Sequence, residues 1–138
     1  MIIKETLRMN PSVPIIGRRS AGDMVIDGAT IPAGIDFGII IYALHNDPKL
    51  YPEPERFDPE RFSDEATAQR QPYSYIPFSV GSRNCIGQRY AMLEIKTILV
   101  KLLANYRLLP CEESNSLRIK TDMTLKPVKG AFVKIIAR

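Results

Sequence analysis

The sequence predicts an α+β fold in which two main helices are combined with several short strands in small sheets and one long stretch of coil. The clearest helix is Gln88–Asn105, where apolar residues recur at helical spacing. Short apolar runs between turn-forming residues predict the strands, and Asp27-Gly28 predicts the turn of a β-hairpin. Residues 48–77 hold six of the 11 prolines and few periodic apolar residues, so coil without helix is predicted there.

The other elements follow from local turn and cap signals. Residues 1–9 favour a helix that stops at Asn10-Pro11, but no capping residue precedes them. We therefore expect either a chain that begins inside a helix of a longer protein or a short helix with a frayed start. The remaining predicted elements are strands at residues 24–26, 29–31 and 35–41, a short helix at 42–46, and strands at 106–109, 117–121, 124–126 and 131–136.

Composition excludes several classes of function. The 138 residues are 45% hydrophobic and 25% charged, which is typical of one globular domain rather than of a disordered chain. The net charge of +4 is small and scattered and aromatic residues are only 8%, which argues against a nucleic-acid partner. No apolar run approaches the roughly 20 residues of a membrane span. Two cysteines, Cys85 and Cys111, do not make a disulfide scaffold and fit a reducing compartment.

One cysteine stands in a glycine-bracketed loop immediately before the long helix. At that position the positive end of the helix dipole and the unpaired backbone N–H groups favour the thiolate form of Cys85. Gly81 and Gly87 leave room for a flat ligand, and Arg83 offers a cation to an anionic group on it. Phe78 can shield the sulfur from water. These features predict a buried thiolate that is the axial ligand of a haem iron, and the alternative is a free cysteine buried at a helix start.

The loop resembles the haem-binding segment of the cytochrome P450 family, Phe-x-x-Gly-x-Arg-x-Cys-x-Gly, at Phe78, Gly81, Arg83, Cys85 and Gly87. A chance match at five fixed positions has a probability on the order of 10⁻⁵ in a chain of this length. Residues 83–91 are most similar to family 4, the eukaryotic microsomal group that often hydroxylates fatty acids, although position 82 holds Ser where Pro or Gly is frequent.

The resemblance extends over all 138 residues and implies the C-terminal part of the P450 fold. That part comprises the K helix, small β-sheets, the meander, the Cys-ligand loop, the L helix and a late β-hairpin. The resemblance also implies that the upstream part is absent from this chain, namely the membrane anchor, the distal pocket and the I helix with its proton-delivery residues.

A second pattern is Glu5-x-x-Arg8 in the first predicted helix. Residues three apart on a helix touch, so this carboxylate and guanidinium can pair. Glu53-x-x-Arg56 has the same spacing but lies in the proline-rich stretch. The spacing alone is a weak signal because most such pairs are solvated and contribute little.

The resemblance adds a third member to this pair, an Arg from a Pro-Glu-Arg-Phe tetrapeptide in the meander. The tetrapeptide occurs twice, at residues 54–57 and 59–62. The family places a Phe two residues before the motif, and Phe57 stands there before the second copy. Arg61 is therefore predicted to join Glu5 and Arg8 in a structural cluster, and Arg56 is predicted to be exposed.

The resemblance also implies a substrate pocket and a propionate contact. Arg18 aligns with a propionate-pairing position, and His45, the only histidine, is expected to be a structural hydrogen-bonding residue. Cys111 is expected to be an incidental thiol. The pocket candidates, for which plain hydrophobic packing is the alternative, are Val13, Pro14, Ile15, Ile16, Met123 and Leu125.

The function that the resemblance implies is that of a haem-thiolate monooxygenase, which oxidises a lipophilic substrate such as a fatty acid with O2. Arg83 and Arg18 would hold the haem propionates, and electrons would come from NADPH through a separate reductase. Arg89 and Lys96 are candidate contacts for an acidic reductase surface, and a solvated basic face is the alternative. The full-length protein is expected on the cytosolic face of the endoplasmic reticulum membrane, attached only through the absent part.

Two other classes of function compete with that one. Without the distal wall the isolated chain is expected to be inactive and to expose apolar surface, so a non-catalytic truncated product or remnant is the alternative. A small basic binding module with a coincidental cysteine loop is the third.

Overall fold

The computed structural model describes residues 1–112 and 117–138 and divides the chain into two compact units, Met1–Pro77 and Phe78–Arg138. The first unit contains α1 (Ile2–Met9), β1 (Ile15–Arg19), β2 (Met24–Ile26), β3 (Ala29–Ile31), β4 (Asp36–Ile40), α2 (Ile41–His45), a 3₁₀ turn (Pro59–Phe62) and α3 (Asp64–Gln69). The second unit contains α4 (Gln88–Asn105), β5 (Tyr106–Leu109), β6 (Ile119–Asp122), β7 (Thr124–Pro127) and β8 (Lys134–Ala137).

All strand pairs in the described ranges are antiparallel and two-stranded. In the first unit β1 pairs with β4, with Arg18 opposite Phe37, and β2 pairs with β3. The β2–β3 hairpin turns at Asp27 and Gly28, whose φ angles of 49° and 81° are those of the tight turn that Asp-Gly predicts. In the second unit β5 pairs with β8, and β6 and β7 form a hairpin with Met123 at its tip.

The core of the first unit combines a few apolar side chains with buried polar ones. Its fully buried large side chains include Arg8 and Glu5 on one face of α1, together with Ile41 and His45 of α2. Buried charges require partners, so the packing of this unit depends on an ion-pair cluster as well as on hydrophobic contact. The buried apolar residues include Ile41, Tyr51, Phe62 and Ile76.

None of the described residues of the second unit is buried. On α4, the large apolar side chains of Leu93, Ile98, Val100 and Leu103 are exposed. The expectation of exposed apolar surface therefore agrees with the structure. Among the described residues, no helix combines the length and the apolar character needed to cross a membrane.

Most predicted elements are present, and α4 has the predicted bounds. The prediction of coil without helix at residues 48–77 is wrong, because α3 lies there. The hydroxyl of Ser63 accepts a hydrogen bond from the Ala66 N–H at 3.2 Å, and Asp64 and Glu65 occupy the first turn. These capping signals outweigh the prolines on either side. The sequence does not predict strand β1 either, because apolar and polar residues do not alternate along it and its conformation depends on pairing with β4.

Candidate functional site

The loop that carries Cys85 is closed by two backbone hydrogen bonds. The Cys85 N–H donates to the Phe78 carbonyl at 2.9 Å, and the Asn84 N–H donates to the Gly81 carbonyl at 3.2 Å. Gly81 has φ 85°, in the left-handed region where a side chain is disfavoured. The loop geometry therefore requires glycine at position 81 and holds Phe78 and Cys85 together through the backbone.

The sulfur of Cys85 lies just before α4. The helix begins at Gln88 with Gly87 as its N-cap, which supplies no side chain to cap the first N–H groups. A methyl group placed on Gly87 would lie 3.8 Å from Cys85 Sγ, so a side chain there would touch the sulfur without a clash. The prediction of a buried sulfur is wrong for this chain, because Cys85 is exposed and the unit around it has no buried residue among those described.

These features fit a haem. An accessible thiol just before a helix is a soft donor for iron. Arg83 is exposed, and within the described part of the chain no hydrogen bond or ion pair engages its guanidinium, so it is available to an anionic group. Phe78 is half-buried. The residues of the loop therefore match the needs of a flat, anionic, iron-containing cofactor.

In the first unit, Glu5 and Arg8 form a bidentate pair on α1. Arg8 Nε lies 2.8 Å from Glu5 Oε2, and Arg8 Nη2 lies 2.9 Å from Glu5 Oε1. Both side chains are fully buried. Arg8 also donates to the carbonyl oxygens of His45 at 2.8 Å and Pro54 at 2.7 Å. The Asp58 N–H donates to Glu5 Oε1 at 2.9 Å, so the pair attaches α2 and the proline-rich coil to α1.

Arg61 is the third member of this cluster, as predicted. Its Nε lies 3.7 Å from Glu5 Oε1, and its Nη2 donates to the carbonyls of Pro52 at 2.6 Å and Glu53 at 3.0 Å. Its side chain is 14% exposed. Arg56 instead pairs with Glu53 at 3.2 Å on the surface, with both side chains about two-thirds exposed or more, so the prediction that Arg56 lies outside the cluster is confirmed.

His45 has the structural role that the sequence predicts. Its Nε2 accepts a hydrogen bond from the Ile76 N–H at 2.9 Å, and its ring stacks on Tyr75 at 5.3 Å between centroids. Burial lowers the pKa of His45 to about 4, against the opposing effect of the Arg8 and Leu7 carbonyls. The imidazole is therefore neutral at physiological pH.

Two supporting residues had no signal in the sequence. The Arg70 guanidinium lies 4.3 Å from the centre of the Phe62 ring and donates to the Arg61 carbonyl. The hydroxyl of Tyr51 donates to the Ser74 carbonyl at 3.0 Å. Burial raises the pKa of the Tyr51 phenol. The Arg70 contacts reach back across α3, and the Tyr51 contact joins two residues 23 apart, so neither follows a spacing typical of a helix or strand.

Comparison with known proteins decides the family of the chain. A family model described as Cytochrome P450 matches residues 1–135. Cytochrome P450 4V2 of Rattus norvegicus is 44% identical over 137 residues, which are 99% of this chain and 26% of that protein. Probable cytochrome P450 4aa1 of Drosophila melanogaster is 44% identical over 138 residues, which are 100% of this chain and 27% of that protein. The chain belongs to the cytochrome P450 family.

The solved structures agree with this membership. A crystal structure of the cytochrome P450DA heme domain has a TM-score of 0.89 and 31% identity, and it covers 99% of this P450 chain and 30% of that one. The predicted α+β fold of a P450 C-terminal part is thereby confirmed. The chain spans about a quarter of the length of the curated relatives it matches. Membership implies haem as the cofactor.

The residues of this P450 chain that are predicted to contact a propionate and the substrate lie partly in β1 and in the segment before it. Arg18 lies in β1, is half-buried and donates to the Gly17 carbonyl at 2.8 Å. Pro14 is buried and Ile16 is half-buried, whereas Val13 and Ile15 are exposed. These residues belong to the first unit, and Cys85 belongs to the second. Their roles at the propionates and in the substrate pocket stay predictions.

The late hairpin and the basic pair of α4 lie in the second unit. Met123, with φ 57°, is 94% exposed at the tip between β6 and β7, and Leu125 is half-buried. Arg89 and Lys96 are both exposed on α4. A hairpin tip of this kind is available to a substrate and an exposed basic pair to an acidic surface, and both roles stay predictions.

Proposed function

We propose that the whole protein is a haem-thiolate monooxygenase in which this chain is the C-terminal portion and supplies the wall that holds the axial ligand. The observation that carries the proposal is the Cys85 loop, in which an accessible thiol precedes α4 and the Cys85 N–H binds the Phe78 carbonyl at 2.9 Å. When bound, haem supplies the iron centre at which O2 is activated for transfer of one oxygen atom to the substrate.

Cys85 would hold the haem iron through its sulfur, from a position just before α4. A thiolate ligand at this position would supply electron density that favours cleavage of the O–O bond. Arg83 and Arg18 would hold the propionate groups, for which a guanidinium offers paired N–H donors in the plane of a carboxylate.

The finer parts of the proposal concern the substrate, the reductase and the location. We propose a lipophilic substrate such as a fatty acid, because the candidate pocket residues are apolar. Exposed Arg89 and Lys96 on one helix suit an acidic reductase that transfers electrons from NADPH. The endoplasmic reticulum membrane, with the catalytic part on the cytosolic side, is the proposed location. The candidate pocket residues are Val13, Pro14, Ile15, Ile16, Met123 and Leu125.

The test replaces each cysteine in turn in the haem-loaded, full-length protein. Cys85→Ala should abolish the Soret band that is characteristic of a thiolate-ligated ferrous–CO complex. Cys111→Ser is the matched control and should keep that band, because Cys111 lies outside the loop. A Cys85→Ala protein that retains the thiolate-type spectrum would overturn the assignment of the ligand.

A second candidate is a non-catalytic product of about the size of this chain. It is favoured by the exposed apolar side chains of the second unit, among them Leu93, Ile98 and Val100. An antibody against residues 64–73, which include the exposed residues of α3, distinguishes the two candidates on an immunoblot of native tissue. A band several-fold larger than 15.6 kDa supports the monooxygenase, and a single band near 15.6 kDa supports the non-catalytic product.

A further inference from the structure

His45 connects the ion-pair cluster on α1 to the backbone that leads into the haem-binding loop. On one side, the His45 carbonyl accepts a hydrogen bond from Arg8 Nη1 at 2.8 Å. On the other, His45 Nε2 accepts a hydrogen bond from the Ile76 N–H at 2.9 Å. Arg8, His45 and Ile76 are all buried. One residue therefore transmits the position of α1 to the end of the first unit through two buried contacts.

The direction of these hydrogen bonds fixes the tautomer of the imidazole. Since Nε2 accepts from a backbone N–H, it carries no proton, and the ring proton resides on Nδ1. Nδ1 is buried and makes no hydrogen bond within residues 1–112 and 117–138. Burial keeps the ring neutral by lowering its pKa to about 4. The side chain is thus held in the one form that can accept from Ile76.

The Ile76 amide is the last backbone donor of the first unit. Pro77 has no N–H, and Phe78 begins the second unit. Phe78 is in turn the residue whose carbonyl accepts the Cys85 N–H at 2.9 Å. The anchored amide therefore lies two residues before the carbonyl that accepts from the Cys85 N–H.

We propose that His45 is a positioning residue for Cys85, which fixes the point from which the haem-binding loop leaves the first unit. The inference rests on the proposed function, since it assigns His45 an effect on iron ligation. Loss of the acceptor leaves a buried N–H unpaired, which favours displacement of Ile76 toward water or another acceptor. The loop is then less well placed to keep the sulfur on the iron, so thiolate ligation and haem retention both decline.

The test compares variants of the haem-loaded, full-length protein that differ only in the acceptor. His45→Leu has no acceptor, whereas the Oε1 atom of His45→Gln can occupy the position of Nε2. We expect His45→Leu to convert a large part of the ferrous–CO complex from the thiolate-type band to the inactive form that lacks the thiolate ligand. Transfer of haem to apomyoglobin should be about tenfold faster, because the free-energy cost of one unpaired buried donor is equivalent to about a factor of ten. His45→Gln should restore both properties.

Ser20→Ala is the control for lost stability. The buried Ser20 hydroxyl donates to the Pro32 carbonyl and accepts from the Ile35 N–H, both at 3.0 Å, in a part of the first unit that does not contact Ile76 through hydrogen bonds. Its removal should lower the melting temperature without changing the thiolate fraction. The inference is overturned if His45→Leu keeps the wild-type band and haem-loss rate, or if Ser20→Ala loses the band to the same extent.

Two further outcomes are informative. If His45→Leu does not fold, His45→Asn replaces it in the test. The Asn side chain is one methylene shorter than that of Gln, so its oxygen does not reach the Nε2 position. Asn should then lose the thiolate-type band and Gln should keep it, and equal behaviour of the two overturns the inference.

A wild-type protein without the thiolate-type band overturns the proposed function itself, together with this extension of it.

Discussion

Arg61 Nε lies 3.7 Å from Glu5 Oε1, so a side chain from the 3₁₀ turn shares the carboxylate that Arg8 already holds by two hydrogen bonds. Glu5 and Arg8 are fully buried, and one carboxylate serves two guanidinium groups. The cluster therefore carries an excess positive charge in a poorly solvated place. That charge is stabilised by backbone carbonyl oxygens, which are those of His45, Pro52, Glu53 and Pro54.

Replacement of Glu5 by Gln should destabilise the protein strongly. It leaves Arg8 and Arg61 without their counter-ion, and breaking a buried pair in this way costs about 3–5 kcal/mol. Urea unfolding of the haem-loaded protein measures the loss. Glu53→Gln is the matched control: it breaks the exposed pair with Arg56 at the same i,i+3 spacing and should cost no more than about 1 kcal/mol. Equal losses for the two variants would contradict the structural role of the cluster.

The Arg61 side chain should not be replaceable by Lys. Its Nη2 donates to two carbonyls, of Pro52 and Glu53, while its Nε faces Glu5. A single ammonium group cannot reproduce this planar arrangement, so Arg61→Lys should cost about 1–3 kcal/mol. Arg56→Lys at the surface should change the free energy of unfolding by less than about 0.5 kcal/mol. If Arg61→Lys leaves the free energy of unfolding unchanged, a positive charge at this position is enough to stabilise the cluster.

Much of this cluster could be predicted because its signals are local. The spacing of Glu5 and Arg8 places them on one helical face, while Arg61 was selected by the resemblance to the P450 family, whose pattern has a Phe before the second tetrapeptide. Arg70 could not be predicted, since its partner rings Phe62 and Tyr75, at 4.3 and 5.7 Å, reach it through turns on either side whose path no residue spacing indicates.

In the haem-binding loop too, some features could be predicted from the sequence and others could not. Gly81 was identified from the motif, and its φ of 85° gives the physical reason for glycine there. The exposure of Cys85 was not predicted, because burial depends on what surrounds the loop and not on the residues within it. Strand β1 is a further case, since its sequence has no alternation and its conformation follows from its register with β4.

Acidification should destabilise the protein through His45. Its pKa in the folded chain is about 4 against an ordinary value of 6.5, mainly because burial disfavours the imidazolium; the positive charge of Arg8 also lowers it, while the carbonyls of Arg8 and Leu7 raise it. Tyr75, which stacks on the ring, stays neutral because burial raises its pKa. Between pH 4 and pH 6.5, His45 therefore binds a proton in the unfolded chain but not in the folded chain.

Stability should therefore fall as the pH drops from 6.5 towards 4, by up to about 1.4 kcal/mol per pH unit from this residue, and should not depend on it above that window. Urea unfolding across the window measures the slope. In His45→Gln, which has no titratable group, this contribution should disappear, so the difference between the two proteins isolates His45 from the carboxylates. Parallel slopes for wild type and variant would contradict the prediction.

Gly81→Ala should weaken haem binding through backbone strain alone. A Cβ at position 81 would meet no atom within 4 Å, so there is no steric clash, but φ 85° is a conformation that costs a non-glycine residue about 1–2 kcal/mol. Gly22→Ala is the control, since it has equal space and no positive φ. Titration of the full-length apoprotein with haem should show a loss of affinity of about tenfold for Gly81→Ala and none for Gly22→Ala. If Gly81→Ala binds haem as tightly as wild type, the turn between Phe78 and Cys85 does not need the conformation that glycine provides there.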